Sequence, residues 1–328
     1  MINQKTAIIT GGTGFIGNHL CSQLKKEGYW VRVIDIEPER FGKSEADEII
    51  ILDLAEDKNK TKEAFLHPFD VKKGVDEVYA LACLMGGAGF IFSGANDAEI
   101  LTKSVSCNVN TVIACHELNV GKVFYSSSAC VYPEENQLDP NNPNCAEHTA
   151  WPANPDSAYG KEKLFAEDIF LAYNRNYGLD VRIARFHNIF GPMGTWKGGK
   201  EKAPAAICRK VLESNGEIEI WGDGEQTRSF LYIDECIKGI RKLMASDFHG
   251  PVNIGSEERV TINQLVNIAC SFENKQLVKK HIKGPLGVRG RNSDNKLIRE
   301  KLGWAPDYPL ASGLAETYYW IKSQMENK

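Results

Sequence analysis

The sequence predicts an α/β protein with a doubly wound parallel sheet and a smaller carboxyl-terminal lobe. Short runs rich in valine and isoleucine alternate with longer amphipathic segments through the first half of the chain. After about residue 186, longer connections rich in glycine and proline replace this pattern. Apolar runs without polar alternation are typical of parallel strands buried on both faces, and their alternation with helices indicates right-handed βαβ units.

The apolar runs predict the strands, and the amphipathic segments predict the helices. The predicted strands are 6–10, 30–34, 48–52, 77–81, 122–126 and 181–184. The predicted helices are 15–27, 99–118 and 158–177, with a peripheral helix within 57–68 and a closing helix at 310–326. We expect residues 1–185 to form the sheet domain, with 226–248 returning to it. Residues 186–225 and 249–328 are expected to form the substrate-binding lobe.

The charge balance excludes several classes of protein. The chain has 328 residues, with 39 Lys and Arg against 43 Asp and Glu, for a net charge of −4. The chain therefore lacks the excess of positive charge that binds the phosphates of DNA or RNA, and we expect no nucleic-acid partner. Residues 78–96 carry no charge, but they include four glycines and begin as a strand. We therefore expect no membrane segment.

Cysteine usage indicates the compartment. Nine cysteines are present, without a C-x-x-C pair or a cysteine–histidine spacing typical of zinc. We therefore expect no metal site, and free thiols in a reducing compartment. The first residues lack the charged start, apolar core and cleavage site of a secretion signal. These features predict a cytoplasmic protein.

A glycine-rich turn follows the first predicted strand. Gly11, Gly14 and Gly17 form G-x-x-G-x-x-G and open the first predicted helix, which makes the sheet Rossmann-like. Such glycines allow close approach of the backbone to a pyrophosphate at a helix N-terminus. Asp35 ends the second predicted strand, where a carboxylate binds the adenosine ribose and favours NAD over NADP. The NAD-binding residues predicted here are Gly11, Gly14, Phe15, Ile16, Gly17, Asp35, Asp53 and Leu54.

A Tyr-x-x-x-Lys pair begins a later predicted helix. Tyr159 and Lys163 lie four residues apart and therefore on one helical face. An ammonium group lowers the pKa of a neighbouring phenol and makes it a better base. With the serines at 126–128, this pair resembles the extended short-chain dehydrogenase/reductase family, whose nucleotide-sugar members place these groups around NAD. The resemblance implies that Ser128, Tyr159 and Lys163 are catalytic, and that Tyr159 and Lys163 also contact NAD.

Further stretches resemble one branch of that family, which acts on GDP-mannose. They are 85–90, 127–130, 185–192, 194–204, 221–224, 226–230 and 287–294. Cys130 stands where dehydratases of the family carry an acidic residue. The resemblance implies that Cys130 and Lys202 are an acid/base pair at the sugar ring, without assigning base and acid at each carbon. It implies substrate contacts by Gly87, Ser128, Ala129, Cys130, Asn188, Glu201, Lys202, Ala203, Lys210, Gln226, Thr227 and Arg228, with Arg289 and Arg291 as near-equal candidates for the diphosphate.

These residue types fit inversion at C3 and C5 of a hexose. A sugar C–H is too weak an acid to lose its proton directly, but a ketone at C4 makes both neighbouring C–H bonds acidic. Inversion then needs a base on one face of the ring and an acid on the other. Lys200, Arg209 and Lys210 would lower the pKa of Lys202 if they lie close to it. The resemblance thus implies conversion of GDP-D-mannose into GDP-L-galactose and GDP-L-gulose.

Two other functions stay open from the sequence. One is a different NAD-dependent reaction of a nucleotide sugar, either 4-epimerisation or dehydration. A 4-epimerase needs no ring acid or base, so Cys130 and Lys202 would be dispensable. The other is a non-catalytic NAD-binding module, which the intact Tyr159 and Lys163 disfavour. We also expect a homodimer formed through helices 99–118 and 158–177.

Overall fold

The computed structural model describes residues 4–39, 42–284 and 287–326. The strands in this part of the chain are β1 (Thr6–Thr10), β2 (Trp30–Asp35), β3 (Glu48–Ile51), β4 (Glu77–Ala80), β5 (Lys122–Ser128), β6 (Val181–Phe186), β7 (Ile189–Phe190), β8 (Glu217–Trp221), β9 (Thr227–Ser229), β10 (Leu231–Tyr232), β11 (Val252–Ile254), β12 (Arg259–Thr261), β13 (Val278–Ile282) and β14 (Gly290–Arg291). The α-helices are α1 (Phe15–Lys26), α2 (Lys58–Ala64), α3 (Ala88–Ile91), α4 (Asp97–Glu117), α5 (Ala158–Tyr177), α6 (Ala203–Glu213), α7 (Ile233–Ala245), α8 (Ile262–Ser271), α9 (Lys296–Leu302) and α10 (Leu310–Glu326). Short 3₁₀ helices span Ala129–Val131, Glu134–Gln137 and Glu147–Ala150.

A parallel seven-stranded sheet forms the centre, in the order β11-β6-β5-β4-β1-β2-β3. From β1 the chain winds one way through β2 and β3, and from β4 it winds the other way through β5 and β6. The strand order therefore reverses between β1 and β4, and open sheets of this kind bind their ligands in the crevice at that point. The predicted α/β class is confirmed, and the six predicted strands are β1 to β6.

The seventh strand differs from the sequence-based expectation. β11 pairs in parallel with β6, from Val252 opposite Ala184 to Ile254 opposite Phe186. Its residues were expected in the lobe, and no strand was predicted there. β11 has only three residues, which are too few to show the side-chain alternation of a strand in the sequence. Its place at the sheet edge depends on tertiary packing.

Helices cover both faces of the sheet. Ile9 of β1 belongs to one apolar cluster with Leu20 of α1, whereas the preceding residue, Ile8, belongs to another with Phe170 of α5. Successive side chains of a strand point to opposite faces, so the two clusters are the two sides of the sheet. α1 and α7 pack together on one side, and α4 and α5 pack together on the other.

The lobe continues the apolar cluster of the α1 side. α6, α8 and α10 pack against one another, and Ile207, Leu265 and Leu314 join them in the same cluster as Ile9. β9 lies between antiparallel β12 and parallel β14, which puts Arg291 beside Arg228. β8 and β13 form a separate parallel pair. These small sheets position the polar side chains that face the carboxyl end of the main sheet.

A buried polar network joins β6, β11 and the segment after β5. His187 Nε2 lies 2.9 Å from Asn253 Oδ1, which also accepts a hydrogen bond from the Tyr132 hydroxyl at 2.7 Å. Burial lowers the pKa of His187 to about 3. His187 is therefore a neutral, packed side chain.

Membrane-spanning helices are not found in the part of the chain that the structure describes. None of its helices combines enough length with enough apolar character to cross a bilayer.

Candidate active site

The glycine turn after β1 has the shape of a dinucleotide cradle. Gly11 has a φ of +69°, and a Cβ there would lie 3.0 Å from backbone atoms of Ala82. A Cβ on Gly17 would overlap the carbonyl oxygen of Gly11. α1 begins immediately afterwards with Gly14 as its N-cap, so no side chain of the cap occupies the first-turn N–H groups. Those N–H groups form an anion-binding helix terminus, which fits a pyrophosphate.

Two carboxylates follow the neighbouring strands. Asp35 accepts a hydrogen bond from the Thr13 backbone N–H at 3.1 Å, so it borders the glycine turn at the end of β2. Asp53 follows β3 and lies 3.7 Å from the Lys103 ammonium. Leu54, beside Asp53, is buried. The predicted NAD-binding residues therefore gather at the carboxyl ends of β1, β2 and β3, and the site fits NAD.

Tyr159 and Lys163 begin α5 beside the end of β5. Lys163 Nζ donates a hydrogen bond to the Ser126 carbonyl at 3.0 Å and lies 5.7 Å from the centroid of the Tyr159 ring. Cys83 lies close enough to this ammonium to raise its pKa, and Ser128 lies close enough to the Tyr159 hydroxyl to lower the pKa of the phenol. The structure thus brings the three predicted catalytic residues together, with Cys83 as an additional partner.

The expectation that Lys163 makes Tyr159 a ready base is wrong for the protein alone. Burial raises the pKa of the Tyr159 phenol well above its usual value, and the charges on Cys83, Cys130 and Glu162 add to this rise. The hydrogen bond from Ser128 lowers the pKa only in part. Burial also acts to lower the pKa of Lys163, but the charges on Cys83 and Glu162 outweigh it, so that this pKa is raised overall. Lys163 therefore stays an ammonium group.

Cys130 and Lys202 reach the same space from different elements. Cys130 lies in the 3₁₀ helix after β5, and Lys202 is the N-cap of α6. Burial lowers the pKa of Lys202, whereas the charge of Cys130 acts to raise it. The expected influence of Lys200, Arg209 and Lys210 is not among the causes of this shift, so the cause is desolvation instead. Lys202 is therefore not part of a solvated basic loop.

A cavity of about 370 Å³ contains most of the predicted substrate residues. Those that line it are Gly87, Ser128, Ala129, Cys130, Asn188, Glu201, Lys202, Ala203, Lys210, Gln226, Arg228 and Arg291, and the predicted catalytic residue Tyr159 lines it as well. Met85, Phe92, Trp221 and Val288 form an apolar wall that the sequence analysis did not assign to the site. A concave site with an apolar wall and convergent polar groups is the usual form of a small-molecule site.

Two predicted substrate residues lie outside the cavity lining. Thr227 begins β9 and donates a hydrogen bond from its hydroxyl to the Pro140 carbonyl at 2.6 Å, so in the structure it joins β9 to the segment that carries Pro140. Arg289 is half-exposed and forms a two-pronged ion pair with Asp223, at 3.0 and 3.1 Å. Of the two near-equal arginines, Arg291 lines the cavity and Arg289 does not.

Polar groups of the lobe fit an anionic ligand. Burial and the neighbouring Arg291 lower the pKa of Arg228 to about 9, which shows that two guanidinium groups crowd together. Gln226 Oε1 is buried and makes no hydrogen bond within the described residues, so it is an acceptor for a ligand donor. Lys210 Nζ lies 5.9 Å from the Trp221 ring, at the apolar wall. Guanidinium groups of this kind bind diphosphates well.

Sequence reasoning missed three residues that lie against the predicted catalytic and substrate-binding residues. Cys83 was not predicted as a site residue, but it is only half-buried and its charge acts to raise the pKa of Lys163. Gln137 and Asp156 each bind Arg291 at 2.5 Å. Asp156 lies three residues before Tyr159, which is a weak signal, and nothing local marks Gln137. Among the described residues, no cluster of three or more His, Cys, Asp or Glu side chains forms a metal site.

Comparisons with known proteins agree with this geometry. Residues 7–255 match the model of the NAD dependent epimerase/dehydratase family. The chain is 48% identical to GDP-mannose 3,5-epimerase of Arabidopsis thaliana over 98% of its own length and 83% of that protein. It is 46% identical to GDP-mannose 3,5-epimerase 1 of Oryza sativa subsp. japonica, over 98% and 82% of the two chains. Among solved structures, UDP-N-acetylglucosamine 4-epimerase from Methanobrevibacter ruminantium M1, in complex with UDP-N-acetylmuramic acid, superposes with a TM-score of 0.83 at 27% identity, covering 99% of this chain and 100% of that one.

Proposed function

The chain belongs to the NAD-dependent epimerase/dehydratase family, and from this premise we propose that it is a 3,5-epimerase of GDP-D-mannose, forming GDP-L-galactose and GDP-L-gulose. The observation that carries the proposal is the meeting of Cys130 and Lys202 with Ser128 and Tyr159 in one cavity. A 4-epimerase requires only the second pair, so the first pair indicates chemistry at other ring carbons.

NAD is the cofactor, and Gly11, Gly14, Gly17 and Asp35 would hold it, together with Phe15, Ile16, Asp53, Leu54, Tyr159 and Lys163. When bound, NAD supplies the oxidation of the sugar at C4 and its later reversal. The carboxylate of Asp35 repels a ribose 2′-phosphate, which accounts for NAD rather than NADP.

Tyr159 is proposed to take the proton of the sugar 4-hydroxyl. Ser128 lines the cavity beside Tyr159, lowers the pKa of its phenol in part, and is proposed to orient its hydroxyl toward this proton. Lys163 keeps its positive charge, which stabilises the phenolate as it forms. Because burial raises the pKa of Tyr159 in the protein alone, the phenol acts as a base only in the assembled complex. The pair then returns the proton when C4 is reduced.

Cys130 and Lys202 are proposed to move protons at C3 and C5. The C4 ketone delocalises the charge left by removal of either proton, so a thiolate or an amine is a strong enough base. Burial lowers the pKa of Lys202, and this increases its neutral, basic fraction near neutral pH. For each inversion, one group removes a proton from one face and the other delivers a proton to the opposite face.

The GDP portion is proposed to bind toward the lobe. Arg228 and Arg291 carry neighbouring positive charges, of which Asp156 balances one, so a net positive charge faces the diphosphate. The remaining proposed substrate contacts are Gly87, Ala129, Asn188, Glu201, Ala203, Lys210 and Gln226, which line the same cavity. Thr227 and Arg289 are excluded from this proposal because they lie outside the lining.

We further propose a cytoplasmic homodimer. Free thiols at all nine cysteines support a reducing compartment. α4 and α5 pack side by side, and Leu101 and Phe165 on them are 38% and 52% exposed. A second copy covering this surface would form a four-helix bundle. Light scattering of the purified protein tests this, and a monomeric mass would contradict it.

The test of function is the proton NMR spectrum of GDP-mannose incubated with the protein in deuterated water. Loss of the H3 and H5 signals with new GDP-hexose resonances is the expected result. Exchange at neither carbon, in protein shown to hold NAD, would exclude this reaction and leave a 4-epimerase or a dehydratase of another nucleotide sugar. Cys130→Ala should abolish ring exchange and retain C4 oxidation. Cys270→Ala, at a half-buried cysteine that does not line the cavity, is the matched control.

A further inference from the structure

We propose that Gln137 and Asp156 are positioning residues, which hold the Arg291 guanidinium against Cys130 so that it stabilises the thiolate during proton transfer at the sugar ring. This inference depends on the proposed role of Cys130 as an acid/base group. Neither Gln137 nor Asp156 was predicted as a site residue, and neither lines the cavity. Their action on Cys130 therefore passes through Arg291.

Arg291 makes three directed contacts while almost fully buried. Its Nη1 lies 3.1 Å from Cys130 Sγ. Its Nε donates to Gln137 Oε1 at 2.5 Å, and its Nη2 donates to Asp156 Oδ2 at 2.5 Å. A guanidinium group has only donors, so the sulfur is the acceptor in the first contact. A thiolate is a better acceptor than a thiol, so the contact favours the ionised form.

Gln137 connects Arg291 to the segment that carries Cys130. Its side chain is fully buried, and Nε2 donates to the carbonyls of Tyr132 at 3.0 Å and Pro133 at 3.1 Å. These carbonyls follow directly after the 3₁₀ helix that contains Cys130. Because the amide is uncharged, Gln137 affects Cys130 only by fixing the position of the guanidinium.

Asp156 connects Arg291 to the start of α5. Its other oxygen, Oδ1, accepts a hydrogen bond from the Ser157 hydroxyl at 2.9 Å, and Ser157 is the N-cap of α5. Asp156 differs from Gln137 because its negative charge offsets part of the positive charge that Cys130 experiences. Its two effects on the thiolate are therefore opposed: it places Arg291, and it weakens the field of Arg291.

The other charged groups around Cys130 leave a net positive environment. Arg228 on β9 and Lys202, the N-cap of α6, interact electrostatically with Cys130, whereas the neighbouring phenol of Tyr159 on α5 is uncharged. Asp156 balances only one of the two guanidinium groups. A thiolate would therefore neutralise charge in the cavity instead of adding unbalanced charge, provided that Arg291 stays in place.

The experiment measures the rate at which iodoacetamide alkylates Cys130 as a function of pH, by mass spectrometry of the Cys130 peptide, in folded protein without substrate. The exposed portion of Cys270 serves as the internal reference. Gln137→Met should raise the pH midpoint of Cys130 alkylation by about one unit, a tenfold loss of reactivity below the midpoint. Asp156→Asn keeps an acceptor for Arg291 but removes the negative charge, so it should lower the midpoint.

Opposite shifts in the two variants support the proposal, because general loosening of the structure would move both in the same direction. Shifts in the same direction, or no shift in either, would overturn it. If Gln137→Met does not fold, the isosteric Asp156→Asn decides alone, since an unchanged or raised midpoint there contradicts the proposal. The measurement uses no turnover, so failure of the proposed reaction with GDP-mannose would be seen separately in the NMR assay.

Discussion

The backbone amide of Gly87 donates a hydrogen bond to the carbonyl of Lys200, with N and O 3.0 Å apart. Gly87 follows β4 of the main sheet, and Lys200 lies in the loop that leads to Lys202 and α6. A Cβ on Gly87 would overlap the carbonyl oxygen of Glu201. The position of Lys202 in the cavity therefore depends on a glycine from a different part of the chain.

Gly87→Ala should reduce exchange at the sugar ring by tenfold or more, because the added methyl group displaces the backbone immediately before Lys202. Ten-fold corresponds to about 1.4 kcal/mol of transition-state free energy. The measurement is loss of the H3 and H5 signals in deuterated water, with NAD affinity measured in parallel and expected to stay unchanged. Gly89→Ala is the control, since its Cβ would meet the Trp221 ring at an ordinary 3.7 Å. Equal activity of the two variants would refute this dependence.

Lys202→Met should lower the rate of proton exchange at the sugar ring by a factor of about 10²–10⁴, the usual contribution of a general acid or base. Oxidation of C4 should remain, and it can be measured from the absorbance of reduced nicotinamide. Because burial lowers the pKa of Lys202, its neutral form becomes available at lower pH than for an ordinary lysine. In the native enzyme, proton removal at the carbon where Lys202 is the base should therefore rise with pH as Lys202 loses its proton. Lys200→Met is the control, and ring exchange in Lys202→Met at the native rate would contradict the assignment.

Asp35→Ala should weaken the preference for NAD over NADP. The carboxylate borders the glycine turn, where it repels a 2′-phosphate and binds a ribose hydroxyl. We expect the ratio of the NADP and NAD dissociation constants, measured by calorimetry, to fall by about tenfold, about 1.4 kcal/mol of discrimination. Asp57→Ala, which removes the N-cap of α2, should leave the ratio as it is. An unchanged ratio in Asp35→Ala would show that another group selects the cofactor.

His187→Gln should make the protein more resistant to acid. The pKa of His187 is lowered to about 3 by burial, so between pH 6.5 and about 3 the unfolded chain binds a proton there that the folded chain does not. This costs folding stability as the pH falls, at up to about 1.4 kcal/mol per pH unit. The glutamine of the variant can still donate a hydrogen bond to Asn253, but it binds no proton in the unfolded chain. Urea unfolding at several pH values would measure this difference. An equal loss of unfolding free energy per pH unit in both proteins would contradict the explanation.

Local patterns predicted the sheet and the cofactor turn well. The strands β1, β2 and β4 to β6 are apolar runs that the structure buries, whereas β3, at the sheet edge, exposes Ile49 and Ile51 although the same pattern predicted it. The glycines of the turn are required by backbone contacts of Gly11 and Gly17. Tyr159 and Lys163 were predictable because one helical turn connects them. Each of these signals lies within a single element and its immediate neighbours.

The rest of the site depends on contacts that no local pattern describes. Arg289 and Arg291 lie two residues apart, and only the pairing of β14 with β9 brings Arg291 to the cavity, whereas Asp223 pairs with Arg289. Gln137 contacts Arg291, which lies 154 positions away in the sequence. The effect of burial on the pKa of Tyr159 was also invisible, because desolvation comes from the whole fold.

Gly160 has a consequence for how this cavity can be changed. A Cβ there would overlap the Cys130 carbonyl oxygen, so the backbones that carry Cys130 and Tyr159 touch without a side chain between them. Substitutions cannot adjust that spacing, since no replaceable atoms separate the two backbones. Redesign of the enzyme for another sugar would therefore have to leave this half of the cavity intact and exchange side chains of the apolar wall, which are Met85, Phe92, Trp221 and Val288.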